Sequence, residues 1–362
     1  MDGKVRVGVI GTGFGKQHIR VFNAHPRSVV TAVASTDVTR AGEIAGQFGV
    51  PHAFGDYRSL LAEAPIDAVA VITPPAWHVP ISLAALDAGK HVFCAKPLAV
   101  TLADAHALLN RARESKLVHA IDQQLRFAPP SLFIKELLEA GTIGRPLSLV
   151  NSFCLYLPTY FANSQASPNK NAWFARRNRS GGLFLANAPH ELDRLLWLFG
   201  AVRSVTGRAH TAIPEVRLPD GTLVPCDADD SYHALLEFES GLMALTQCTP
   251  LGWPSLLGRL EIHGDSGSLL QQGWGDQPVL NLARATDRSY AEIKVPDRLT
   301  RRTAPEGLPG ALYAIADRFL RAILDGEPMS PSFEDGYRTQ ELIEAVFRSS
   351  QTGQRQVLPL SA

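Results

Sequence analysis

The sequence has no surplus charge of either sign: Lys and Arg total 35, and so do Asp and Glu. Nothing therefore draws the chain to nucleic acid or to an anionic membrane through a net field. Cysteine is scarce. Cys94, Cys154, Cys226 and Cys248 are scattered, without the CxxC spacing of a zinc site or a redox pair, and read as reduced core residues. The histidines do not cluster either. His18, His52, His78, His91 and His106 are spread through the first third, and none pairs at helical spacing with a further carboxylate, so no metal is expected. No apolar run is long enough to span a bilayer, and Met1-Asp2-Gly3-Lys4 leads into a strand-like run with no export signal. These features predict a cytoplasmic protein whose partner is a small molecule. A hydrophobic content of 45% and a charged content of 19% are those of an ordinary globular protein. The 362 residues suffice for two domains, since single cores stop growing beyond ~250–300 residues.

The first third alternates strands and helices. Val5 to Ile10 is apolar and β-branched, Gly11-Thr12-Gly13-Phe14-Gly15 makes a tight turn, and Lys16 to Ala24 has helical spacing. A strand, a glycine loop and a helix in that order aim backbone N–H groups and a helix N-terminus at a pyrophosphate. Gly11 and Gly13 fit the usual pattern. The third small residue is either Gly15, one position early, or replaced by Lys16, which bears on helix packing. A second strand, Val29 to Ala34, and a helix from Thr39 to Phe48 complete the unit. Cofactor choice is made at the end of that strand, where an acid would grip the ribose 2′-OH. Ser35 falls nearest that position. Ser35 and Thr36, with Arg40 one turn away, could hold a 2′-phosphate and favour NADP over NAD. Asp37 could instead serve the ribose of NAD, and all of these residues could simply cap the next helix.

The run Ala68 to Ile72, followed by Thr73-Pro74-Pro75, reads as a buried strand ending in a loop. His91-Val92-Phe93-Cys94 reads as the next, ending in Ala95-Lys96-Pro97. Adjacent strand ends of an open α/β sheet mark its ligand crevice. This assigns Thr73, Pro74, His78 and Lys96 to the nicotinamide side. In the second half, Leu147 to Leu155, Val202 to Ala212, Ser231 to Glu239, Met243 to Thr249 and Leu256 to His263 are strand-like. Ala311 to Leu324 and Tyr337 to Gln351 have helical periodicity.

These motifs, with Arg126-Phe127-Ala128-Pro129, Ile143-Gly144-Arg145-Pro146, Gly181-Gly182 before His190-Glu191-Leu192-Asp193, and Ile262-His263-Gly264-Asp265-Ser266-Gly267-Ser268, come in a distinctive order. In them the chain resembles the glucose-fructose oxidoreductase, inositol dehydrogenase and MocA family across nearly its whole length. The resemblance implies an α/β plus α+β protein. A Rossmann dinucleotide-binding domain (residues 1–125) would precede a substrate-binding and oligomerisation domain (126–362) with a large, mostly antiparallel open sheet and flanking helices. It also implies a homodimer or homotetramer formed through that sheet.

Oxidising a secondary alcohol leaves a hydroxyl proton that a base must accept. Lys96 and His190 are the candidates. The resemblance puts the lysine at the reacting hydroxyl, where burial would lower its pKa, while a histidine titrates near ~6.5 without tuning. His190 is therefore assigned as the acid/base, and Lys96 as the group that orients and polarises the oxygen. Pro189 and His190 are read as starting a helix, with Asp193 one turn on, facing the same cleft. The family's glutamate before Lys-Pro is Ala95 here, and the aspartate expected four positions before the histidine is Ala186, with Asn187 beside it to supply a hydrogen bond without charge. The candidate substrate contacts are Arg126, where the chain enters the second domain, Asn187 and Asp193 beside His190, and Trp173 in a loop from Leu157 to Ser180 that could equally be a mobile surface or subunit-contact loop. The expected activity interconverts a hydroxyl and a ketone on a sugar, inositol or related polyol with NADP or NAD. Two alternatives stay open: glycosidic-bond cleavage or elimination through transient oxidation by tightly bound NAD, and a catalytically impaired dinucleotide-binding protein.

Overall fold

The computed structural model describes residues 3–154, 176–177, 182–217, 221–249, 258–273, 278–300 and 304–360. The chain divides into two compact units, Met1–Phe127 with Arg302–Gln340, and Ala128–Arg301 with Glu341–Ala362.

The first unit is built on six parallel strands in the order β3-β2-β1-β4-β5-β6. They are β1 Val5–Ile10, β2 Ser28–Ala34, β3 His52–Phe54, β4 Ala68–Val71, β5 His91–Cys94 and β6 His119–Ile121. The helices between them are α1 Gly15–Ala24, α2 Val38–Phe48, α3 Tyr57–Glu63, α4 His78–Asp87 and α5 Leu102–Ser115. Parallel strands are covered on both faces, so the central ones read as continuous apolar runs; all four residues of β4 are buried. One face packs Val5, Val7 and Val9 against Ile19 and Phe22 of α1. The other packs Val69 and Val71 against Leu60, Ile81 and Leu108.

This division differs from the expectation that all of 126–362 forms the second domain. Helix α8, Gly310–Asp325, belongs to the first unit. Its apolar stripe of Leu312, Ile315, Phe319 and Leu320 completes the core over β1 and α1, and the Phe319 ring meets Phe93 edge-on at 5.6 Å. Periodicity exposes such a stripe but not the core it will face.

Among the described residues, the second unit holds a sheet of nine strands in the order β16-β15-β14-β13-β7-β12-β11-β8-β17. These are β7 Pro146–Cys154, β8 Val202–His210, β11 Ser231–Phe238, β12 Met243–Thr249, β13 Arg259–Gly264, β14 Gly267–Gln272, β15 Val279–Arg284, β16 Ala291–Ile293 and β17 Gln356–Val357, with β9 Glu215–Arg217 and β10 Leu223–Pro225 as a separate hairpin. β7 and β12 pair in parallel, and the other neighbours are antiparallel. All five strands expected here are present, and β14, β15, β16 and β17 are additional to the sheet. On β11 and β12 the residues alternate across the pleat: Ala234, Leu236 and Ala244 are buried, whereas Leu235, Met243 and Leu245 are exposed. Helices α6 Pro129–Glu139 and α7 Leu183–Phe199 belong to this unit, and α9, Phe333–Thr352, spans the residue at which the units divide.

Helix α7 corrects the sequence reading, which started it at Pro189. It begins six residues earlier, after Gly182 at φ 101°, and Pro189 lies inside it. A proline tolerated there leaves the Leu185 carbonyl without its helical donor. His190 is thus a mid-helix residue.

Candidate active site

Gly11 follows β1 with φ 108°, and a Cβ there would overlap the Ile72 carbonyl beyond β4, so only glycine fits. A Cβ on Gly13 meets nothing within 4 Å; glycine there keeps space open rather than relieving a clash. Gly15 opens α1, where a Cβ would press to 3.2 Å from Val9. Gly15, not Lys16, is therefore the residue that lets the helix pack closely. Thr12 is buried, with its Oγ1 3.5 Å from Ser35 Oγ. Phe14 is the N-cap residue of α1 and supplies no side-chain cap, and the first turn carries no acid. An anion meets no competing cap at this partly positive helix end. The open space at Gly13 and the uncapped α1 fit a dinucleotide pyrophosphate.

At the end of β2, Ser35 is half-buried and Thr36 exposed. The Asp37 carboxylate caps α2, accepting from the Arg40 N–H at 3.1 Å. The reading of Asp37 as a capping residue therefore holds, and this commitment counts against it as the ribose acid. Arg40 is half-buried one turn into the helix.

Lys96 lies just past β5. The β4–β5 ladder closes with the Ala95 N–H donating to the Val71 carbonyl at 2.9 Å, and the Asp122 N–H ties the end of β6 to the Cys94 carbonyl at 2.8 Å. Desolvation pulls the Lys96 ammonium down to about 8, against the opposing charge of Asp122. The buried Asp122 carboxylate also meets His18 Nε2 at 3.1 Å, and His18 Nδ1 lies 3.4 Å from the Phe14 carbonyl. Hydrogen bonds thus link the glycine loop to Asp122 through His18, and the charge of Asp122 is felt at Lys96. The sequence reading missed Asp122; its only local signal was its place at the end of β6. The Thr73 hydroxyl oxygen is buried without a hydrogen-bond partner among the described residues. Pro74 caps the short turn Pro75–Trp77. His78, expected to line the nicotinamide side, has both ring nitrogens on backbone carbonyls, Nδ1 on Pro97 and Nε2 on Thr73. Ala95, where an acid was expected, packs against the first core.

Arg126 is buried, with its guanidinium on Asp335 at 3.0 Å and on Ser330 at 3.2 Å, all within the first unit. That anchors the segment leaving β6.

In the second unit, Asn187 and His190 are half-buried on α7, and Asp193 is only 1% exposed, which excludes its being a surface charge. Arg194 is buried as well. It donates to Glu191 at 2.7 Å and to Gln271 of β14 at 2.9 Å, holding the helix on the sheet. Asp229, from the segment before β11, accepts from the Phe184 N–H at 3.2 Å, and a Cβ on Gly182 would collide with it. It caps α7 from outside the helix. Burial pushes its carboxyl up to about 7. Of the loop singled out for specificity, Arg177 is described, its N–H on Asp227 at 2.8 Å. Trp173 lies outside the described residues. The described residues include no cluster of three or more His, Cys, Asp or Glu that could hold a metal, and no helix among them is long and apolar enough to cross a membrane.

Residues 5–123 match the model of an oxidoreductase family with an NAD-binding Rossmann fold, and residues 135–359 match that family's C-terminal α/β domain. Levoglucosan dehydrogenase from Pseudarthrobacter phenanthrenivorans is 29% identical, with 96% of each chain covered. Inositol 2-dehydrogenase from Rhizobium meliloti is 26% identical, over 95% of this chain and 96% of that one. A solved levoglucosan dehydrogenase in complex with NADH and L-sorbose superposes with a TM-score of 0.86 at 27% identity, covering 99% of this chain and all of the other. The chain is an NAD-dependent oxidoreductase and belongs to the glucose-fructose oxidoreductase, inositol dehydrogenase and MocA family.

Proposed function

We propose that the protein interconverts a secondary hydroxyl and a ketone on a sugar, inositol or related polyol. The observation that carries this reading is Lys96. It stands at the carboxyl edge of a parallel sheet that also carries the glycine loop, and burial brings it within reach of neutral pH. The named activities of the relatives support the substrate class. A bound nicotinamide supplies the acceptor for the hydride leaving the carbinol carbon. Lys96, protonated, donates to the reacting oxygen and polarises it. His190 takes the hydroxyl proton as the carbonyl forms and returns it in the reverse direction. Asn187 and Asp193, on the same helix, and Trp173 hold further hydroxyls. Arg126 serves at most through its anchoring of the strand end.

Ser35 in place of an acid, Arg40 near it and Asp37 committed to its helix support admission of the 2′-phosphate of NADP beside NAD. Arg40→Ala should weaken NADPH and spare NADH in a binding titration. The exposed Leu235, Met243 and Leu245 on the second sheet support a homodimer or homotetramer through that face, and the unbridged Cys94, Cys154 and Cys248 support a cytoplasmic location. The test is a panel of sugars and polyols incubated with stoichiometric NAD or NADP. Net formation of reduced cofactor with a panel member is expected. Turnover of glycosides without net reduction would instead establish cleavage through transient oxidation.

A further inference from the structure

His78 opens α4 with its ring buried at 1% exposure. Its Nδ1 lies 2.6 Å from the Pro97 carbonyl oxygen and its Nε2 2.8 Å from the Thr73 carbonyl oxygen. Thr73 follows β4 and Pro97 follows β5. The backbone ladder between those strands makes its last link at Ala95, whose N–H donates to Val71. Past that link the two chains are joined through the imidazole. Lys96 is the residue between the two fixed points, the Ala95 N–H on one side and the Pro97 carbonyl on the other.

We propose that His78 is a positioning residue for Lys96, a clamp between the two loops that fixes the backbone on both sides of the lysine and so holds its ammonium on the reacting oxygen. Both groups facing the ring are acceptors. A neutral imidazole has one N–H to give and would turn its other lone pair on a carbonyl; only the protonated ring satisfies both. Burial and the neighbouring Lys96 charge oppose that protonation. Whichever nitrogen carries the hydrogen, the ring sets one nitrogen against each carbonyl and spans the gap between the loops. Asparagine or glutamine would keep one bond, and leucine none.

The inference rests on the reading of Lys96 as the group at the substrate oxygen, so the experiment has two arms. In the first, the full-length protein is reductively methylated with 13C-formaldehyde, and the Lys96 signal, identified by its loss in Lys96→Arg, is titrated by NMR. The midpoint should rise by about one unit in His78→Leu as water reaches the loosened ammonium, with His78→Asn in between. In the second, His78→Leu should lower kcat roughly 10- to 100-fold with KM little changed, and should have no further effect in the Lys96→Ala background. A midpoint unmoved by either variant, or a kcat loss of equal size with and without Lys96, would overturn the proposal. Should Lys96→Ala itself retain full turnover, the catalytic reading of Lys96 falls, and the NMR midpoint alone decides whether His78 positions it. Should His78→Leu fail to fold, His78→Asn carries both arms.

Discussion

The charge of Asp122 favours the protonated form of Lys96. Its carboxylate opposes the desolvation that draws the lysine down to about 8, and Asp122→Asn removes that charge while keeping an acceptor for His18 Nε2. An opposite charge at close range shifts a pKa by about 1–3 units. Because Lys96 is half-buried, the lower part of that range applies, and the midpoint in the variant should lie about one to two units below that of the wild type. In oxidation Lys96 works protonated, so its deprotonation forms the alkaline limb of the pH profile. At pH 8 about half of the wild-type lysine is charged, against about a tenth to a hundredth in the variant, so kcat/KM should fall roughly 5- to 50-fold there. At pH 5 the two enzymes should be nearly equal. The assay is the pH dependence of kcat/KM, read by reduced-nicotinamide absorbance with the best substrate of the panel. An alkaline limb that stays in place, or moves upward, refutes the argument that Asp122 sets the charge on Lys96.

Further outcomes follow from the same geometry. The Asp229 carboxyl, raised by burial to about 7 from the ordinary carboxylate range, binds its proton more tightly folded than unfolded. Its stabilising contribution is therefore full below about pH 4 and lost as pH rises through about 7, amounting to a few kcal/mol. Asp229→Asn should remove that slope, so urea unfolding should show the variant gaining on the wild type between pH 4 and 7; parallel curves would contradict this. Gly11→Ala should unfold or fail to accumulate, because of the Ile72 carbonyl and the positive φ. Gly13→Ala should keep the wild-type Tm but bind NADH more weakly, and a drop in its Tm would show that the space there is structural.

Much of this was legible in the chain, and the illegible parts share a cause. The strand, glycine loop and helix at residues 5–24 are local, and the third-glycine question was settled only by the contact of Gly15 with Val9. Lys96 stood out by its place before a proline. Asp122 and His18 did not, because their contact joins residues 104 positions apart. The start of α7 was misplaced because Pro189 looked like a helix opening, while the true stop lay at Gly182, braced against a carboxylate from another segment. Likewise Arg194 reads in the sequence as one charge on a helix. That it is buried against Glu191 and Gln271 follows only from the sheet beneath it.

The most direct measurement is single-turnover hydride transfer by the wild type and Lys96→Ala, each first shown to bind NADH equally, against the substrate that reduces the cofactor in the panel. The account predicts stoichiometric formation of reduced nicotinamide by the wild type and a rate at least about 100-fold lower in the variant. Equal rates in the two proteins would contradict it.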